Sequence, residues 1–429
     1  MLLQLPFAMY TLHTLKNNIK LITAPLHETQ AVTVLVLVKV GSRYESAKLN
    51  GASHFIEHLL FKGTKKRPTS LDITKELDGV GADYNAFTSK DHTGYYIKVN
   101  HEKLELAMDI VSDMLFNSLF EQLEIEKERG VILEEINMFE DNPIMLIDSV
   151  FEEAIFKGNS LADRISGPKK NIKNISRTEI IKYFNDHYNS ANVLVGIAGR
   201  FNNQKVKKLV KKYFGKANQK TKRGPFKSFR VSQTKPRVSL ITKKTEQVQV
   251  ALGYPAFKFT DPKLYPLSLL SIILGGNMSS RLFLEIREKL GLAYYIRSGL
   301  TVYEDTGALV VYAGLDKTKI NLALKTIIKE LKKTVSEKVT AEELIRAKEY
   351  IKGKLILHLE DSASLVQWLA TQQLLKKKIT TLDEQLKKIE KVNVSQIQKV
   401  ANEVIKDSKI NLGVIGPFNK KEKFLNILS

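Results

Sequence analysis

Apolar residues alternate with smaller or polar ones along Val32-Thr33-Val34-Leu35-Val36, the period of a strand. The same alternation returns 216 residues later, along Val248-Gln249-Val250-Ala251-Leu252. Each of these strands is followed by a helical pattern and then by a Gly-containing turn into further strands. Those strands fall at 82–87 and 95–99 in the first half, and at 293–300 and 308–313 in the second. Amphipathic helices follow near 101–140 and 317–360. A last helix, about 177–187 and again about 394–405, leads into a closing apolar strand. There Gly196-Ile197-Ala198-Gly199-Arg200-Phe201-Asn202 reappears 217 residues later as Gly413-Val414-Ile415-Gly416-Pro417-Phe418-Asn419. The order of elements is written twice, so the chain reads as an internal duplication. Strands grouped with helices, without regular βα alternation, predict an α+β class: two homologous sandwich-type halves, each a sheet with helices packed on one face. The boundary is placed in the Gly- and Pro-containing segment near 216–237, which gives domains at 1–218 and 219–429.

Composition narrows the chemistry. The chain has 429 residues and no cysteine, which excludes disulfides and thiolate ligands, so any metal must be held by His, Asp or Glu. The first residues lack both a basic start and an apolar stretch long enough for a signal peptide. No run of about 18 apolar residues occurs, so no transmembrane helix and no membrane partner are expected, and a cytoplasmic location is the default. The formal charge is +21, which invites a nucleic-acid reading. Residues 203–244, however, hold fifteen Lys and Arg and no acid, so much of the excess is one local stretch, the mark of a solvated helix face and linker. No nucleic-acid-binding motif accompanies it, and nucleic acid is not an expected partner.

The candidate chemistry begins at Ala52. In Ser53-His54-Phe55-Ile56-Glu57-His58-Leu59-Leu60-Phe61 the two histidines are four apart, so on a helix they project from one face and can grip one ion. Glu57 lies at the edge of that face. This is the H-x-x-E-H order, with two neutral nitrogen ligands and a carboxylate close enough to take a proton from a water on the metal. Phe55, Ile56, Leu59, Leu60 and Phe61 make the helix largely buried, and buried His and Glu cost free energy unless something satisfies them. A catalytic zinc takes a third protein ligand. The helix at 121–140 offers Glu124, Glu126, Glu128, Glu134 and Glu135; Glu128 and Glu135 share a face, but periodicity does not choose among the five.

His54-Phe55-Ile56-Glu57-His58, then seventy-six residues, then Glu135, resembles the signature of the pitrilysin-like (M16) peptidases, which include the mitochondrial processing peptidase and insulin-degrading enzyme. The resemblance covers nearly the whole chain and implies an inverted-zincin metallohydrolase fold. By that resemblance zinc, one per chain, sits on His54, His58 and Glu135. Glu128 supports the site from behind, and Glu57 is the general base. Asn85-Ala86-Phe87-Thr88 is similar to the family's edge strand, which pairs with an extended substrate peptide. Arg287 and Tyr294, in Arg287-Glu288-Lys289-Leu290-Gly291-Leu292-Ala293-Tyr294, are similar to a pair that holds the substrate carbonyl and stabilises the oxyanion. Adding the repeat offset to His54–His58 lands on the apolar stretch 270–274, so the second half is expected to bind no metal and to form a wall of the substrate chamber. Family members of this length pair as dimers, so a homodimer, or a heterodimer with a second such chain, is implied.

Overall fold

The computed structural model describes residues 10–215 and 226–428. Its strands, in chain order, are β1 (Thr11–Thr14), β2 (Lys20–Pro25), β3 (Ala31–Val38), β4 (Asp83–Thr88), β5 (Thr93–Asn100), β6 (Val193–Gly199), β7 (Arg237–Thr242), β8 (Gln247–Ala256), β9 (Ala293–Val302), β10 (Gly307–Asp316) and β11 (Asn411–Gly416). They form a six-stranded sheet in the order β1-β2-β6-β3-β5-β4 and a five-stranded sheet in the order β7-β11-β8-β10-β9. Without β1 the two orders are the same. In both, one parallel pair (β2 with β6, β7 with β11) precedes antiparallel neighbours. The duplication and the α+β class are therefore visible as topology.

The long helical stretches each divide in two: Leu104–Asn117 and Gln122–Asp141 in the first half, Ile320–Ser336 and Ala341–Leu359 in the second. On the first sheet Val32, Val34 and Val36 join Tyr95, Ile97 and Val195 in one core with Phe55 and Ile56 of the Ala52–Leu59 helix and Met108 and Val111 of Leu104–Asn117. That is the expected single face.

The opposite face is also covered, and by a helix from the other half of the sequence. Ser362–Lys376 buries Leu365, Val366, Leu369, Ala370 and Leu374, an i, i+4 stripe, over β6, β3 and β2. Thr33 meets Ser362 there through a 2.8 Å hydroxyl contact, and Lys98 pairs with Asp361. The second sheet repeats the device with Pro143–Ile155. Asn142 caps that helix by accepting from Ile144 N and Met145 N, and Leu146, Ile147, Val150 and Phe151 pack with Ala251, Val310 and Ile415. The two compact units are therefore not the two halves of the sequence divided near 218. One takes the chain up to Ile136, then Arg164–Lys227 and Leu355–Thr380; the other takes Asn137–Asp163, Ser228–Lys354 and the chain from Thr381 onward. Coverage on both faces explains why every residue of β6 and all but the first of β3 are buried.

The basic stretch begins as the helix Asn203–Phe214, which buries Val206, Leu209, Val210 and Phe214 and exposes Lys205, Lys207, Lys208, Lys211 and Lys212. Residues 216–225, within the expected boundary, lie outside the described residues. Among the described residues no helix is long and apolar enough to cross a membrane.

Candidate metal centre

The helix that carries the histidines is eight residues long, Ala52–Leu59, too short to hold itself together in water. Two things fix it. Ala52, Phe55, Ile56 and Leu59 anchor one side in the core. At its amino end the buried carboxylate of Glu45 accepts from Ser53 N (2.7 Å), Gly51 N (2.8 Å) and the Asn50 amide (3.0 Å). Three donors and the helix dipole favour the charge, yet burial dominates and pushes Glu45 up to about 7.

His54 and His58 leave the helix with their rings 4.7 Å apart. The Nε2 atoms of both lie 3.5 Å from one oxygen, Oε2 of Glu135, on the Gln122–Asp141 helix. One ligand atom from each of the three lies within 4.8 Å of the other two, a spacing that suits a single ion. Among the described residues neither the buried Oε2 of Glu135 nor Nδ1 of His54 has a hydrogen-bond partner. A buried carboxylate oxygen left without a donor is costly, and a cation between the three groups removes that cost. The donor set, two imidazoles and one carboxylate, fits zinc.

The charges agree with this. Burial, reinforced by the neighbouring His58, pulls His54 down to about 4, so it is neutral as a ligand must be. Burial also pulls on His58, but the carboxylates of Glu128 and Glu135 outweigh it and hold that imidazole up at about 9. Two carboxylates around one ring make a site that seeks positive charge.

Glu128, two turns before Glu135, is buried and accepts from His58 Nδ1 at 3.0 Å, which turns Nε2 toward the shared point. Its other oxygen is 2.5 Å from Lys62 Nζ. Burial would raise the Glu128 carboxyl, but His58 and Lys62 hold it below the ordinary range. Glu57 is not among the three groups that converge. Thr88 Oγ1, at the end of β4, donates to its Oε2 at 2.6 Å, and burial nonetheless raises its carboxyl above the ordinary value.

Among the described residues β4 is an edge strand, with no sheet partner on one side of Asn85, Ala86, Phe87 and Thr88. The Ala86 N–H is met at 2.8 Å by the side-chain oxygen of Asn85. The structure thus brings together His54, Glu57, His58, Thr88, Glu128 and Glu135. Arg287 and Tyr294 belong to the other unit. Arg287 sits on a π-helical stretch, Phe283–Lys289, its guanidinium 4.8 Å from the centre of the Phe283 ring; such stretches are rare and concentrate at functional sites. Tyr294, at the start of edge strand β9, is 74% exposed, unusual for a tyrosine with only a packing role. At the repeat position of the metal helix, Leu264–Gly275 buries Leu270, Ser271, Ile273 and Leu274 and offers no ligand.

Lys62 and Glu45 were not singled out from sequence. Lys62 follows the end of the Ala52–Leu59 helix, in a turn, so helical spacing does not place it on the side of His58. A capping carboxylate six residues before Gly51 has no sequence signal either.

The chain is similar to known proteins over nearly its whole length. Residues 20–169 match the model described as Insulinase (Peptidase family M16), and residues 174–351 the one described as Peptidase M16 inactive domain. A protein of Streptomyces coelicolor named an uncharacterized zinc protease is 36% identical over 95% of this chain and 90% of its own length. The uncharacterized zinc protease YmxG of Bacillus subtilis is 33% identical over 94% of this chain and 98% of its own. Among solved structures, a protease from Helicobacter pylori superposes with a TM-score of 0.91 at 28% identity, covering 96% of this chain and 100% of that one.

Proposed function

Because this chain belongs to peptidase family M16, with residues 174–351 matching the family's inactive domain, we propose that it is a zinc metalloendopeptidase that cuts extended peptides. The observation that carries the reading is the convergence of His54, His58 and Glu135 on one point, with a partnerless buried oxygen of Glu135 facing it. His54, His58 and Glu135 hold one zinc per chain. When bound, the ion supplies a Lewis acid that polarises the scissile carbonyl and acidifies water.

The remaining steps belong to the protein. Glu57, its carboxyl raised by burial, takes a proton from the attacking water and delivers it to the leaving amine. Thr88 holds one Glu57 oxygen, leaving the other for that transfer. The free side of β4 pairs with the substrate backbone, which requires the peptide to be extended, and Asn85 must then release the Ala86 N–H. Tyr294 donates to the oxyanion and Arg287 holds the substrate chain. The working form is a dimer that encloses a peptide-sized chamber, so unfolded segments are cut and compact proteins are spared.

Three measurements test this together. EDTA should abolish cleavage of a quenched peptide, and zinc should restore it. Glu135→Gln should lose tight zinc, whereas Glu57→Gln should keep stoichiometric zinc and lose at least about a thousandfold in kcat. Near wild-type cleavage by Glu57→Gln would end the general-base assignment.

A further inference from the structure

We propose that Lys62 is a positioning residue of the metal centre that balances the charge of Glu128 and so keeps the centre electrophilic; the inference rests on the metal-centre reading above. His58 stands between two carboxylates, Glu135 at 3.5 Å from Nε2 and Glu128 at 3.0 Å from Nδ1. Glu135 brings one negative charge to the ion, and Glu128, through the imidazole, brings a second. Left alone, the two would offset the charge of a divalent cation and blunt its pull on a carbonyl. The Lys62 ammonium, 2.5 Å from the far oxygen of Glu128, returns one positive charge.

The pair is built to be felt. Glu128 is buried and the Lys62 side chain is only 26% exposed, so solvent screens them far less than a surface pair. The backbone that delivers Lys62 is tied on both sides: Lys62 N donates to Leu59 O at 3.0 Å, and Gly63 O accepts from Leu119 N at 3.2 Å. The ammonium therefore stands where the turn after the metal helix puts it.

A prop and a charge balance differ in sign. If Lys62 only propped Glu128, removing it would loosen His58 and weaken metal binding. As a charge balance, its removal takes a positive charge from beside a cation and makes His58 a more electron-rich donor. The metal is then held more tightly and acts as a weaker acid. Tighter zinc with slower turnover is the signature.

The test uses the full-length, zinc-loaded protein with Lys62→Met, Lys62→Gln and Lys62→Arg. Zinc affinity is read by chelator competition, and kcat and KM on a quenched peptide. For Lys62→Met we expect a zinc dissociation constant lower by about three- to tenfold, kcat lower by about tenfold and KM within about twofold of wild type. Lys62→Gln should follow it, and carries the measurement should Lys62→Met fail to fold. Lys62→Arg, which keeps the charge, should return both values toward wild type. Weaker zinc binding in Lys62→Met and Lys62→Gln would overturn the proposal in favour of a prop, and unchanged zinc affinity and kcat would overturn it outright. In both cases a wild type that binds zinc and cleaves leaves the peptidase reading standing. A wild type that does neither removes that reading and the proposal with it.

Discussion

Glu45 commits both of its oxygens to the amino end of the helix that carries His54 and His58, at the cost of being buried. Burial sets its carboxyl at about 7 in the folded chain, against an ordinary value of 4.5. A group whose folded value is raised adds stability that is complete below its unfolded value and is lost as pH climbs through the folded one. For Glu45 that window is about pH 4.5 to 7, and the stake is on the order of 3 kcal/mol. Thermal unfolding of wild type and Glu45→Gln between pH 5 and 8 should show the variant catching up as pH rises, since glutamine does not titrate. Parallel curves would mean that burial does not hold Glu45 neutral. Tyr294→Phe acts at the same scale in the opposite way. It should cost about a hundredfold in kcat, with zinc content and melting temperature unchanged, because the ring is largely exposed and keeps its shape.

Among the elements, the two strands that close the repeats, β6 and β11, each place a glycine beneath a covering helix. A Cβ on Gly196 would lie 2.5 Å from Val366 Cγ2, a methyl of a buried β-branched side chain that yields only by leaving its rotamer or shifting its helix. On Gly413 it would lie 2.8 Å from Phe151 N and 3.0 Å from Phe151 Cα, where backbone blocks it. Gly413→Ala, opposed by backbone, should destabilise by about 2–3 kcal/mol and Gly196→Ala, opposed by one side chain, by about 1–2, read by denaturant unfolding; a larger loss in Gly196→Ala would contradict this packing. These glycines were legible as the repeated motif, but not the reason for them. Strand alternation, the H-x-x-E-H spacing and the repeat all live within short stretches or a fixed offset, and all were legible. An amphipathic helix announces that it has an apolar face without saying which sheet that face will meet. So neither Pro143–Ile155 nor Ser362–Lys376 could be assigned from pattern alone. The same holds for Lys62 and Glu128, whose pairing joins the turn after one helix to the middle of another. Their partnership is a fact of packing.

At the scale of the whole molecule, the candidate metal ligands among the described residues lie in one compact unit, while Arg287 and Tyr294 lie in the other. If the chain works as a dimer and this pair serves the partner's zinc, mixing Tyr294→Phe with Glu57→Gln should restore part of the activity that each lacks alone. Each mixed dimer would then hold one chamber with both groups intact. Mixtures as inactive as the parents would place the pair in the same chain as its zinc. The exchange of helices between the repeats also bears on how the protein is made. A ribosome delivers the first sheet and its metal ligands long before Ser362–Lys376, which must close the sheet's other face. At ordinary elongation rates of about 5–20 residues per second, some 150 residues of waiting last on the order of 10–30 s. During that interval the buried row of Leu35, Leu37 and Leu194 has no lid. The first sheet therefore emerges with one apolar face open and is completed only when Ser362–Lys376 has been synthesised.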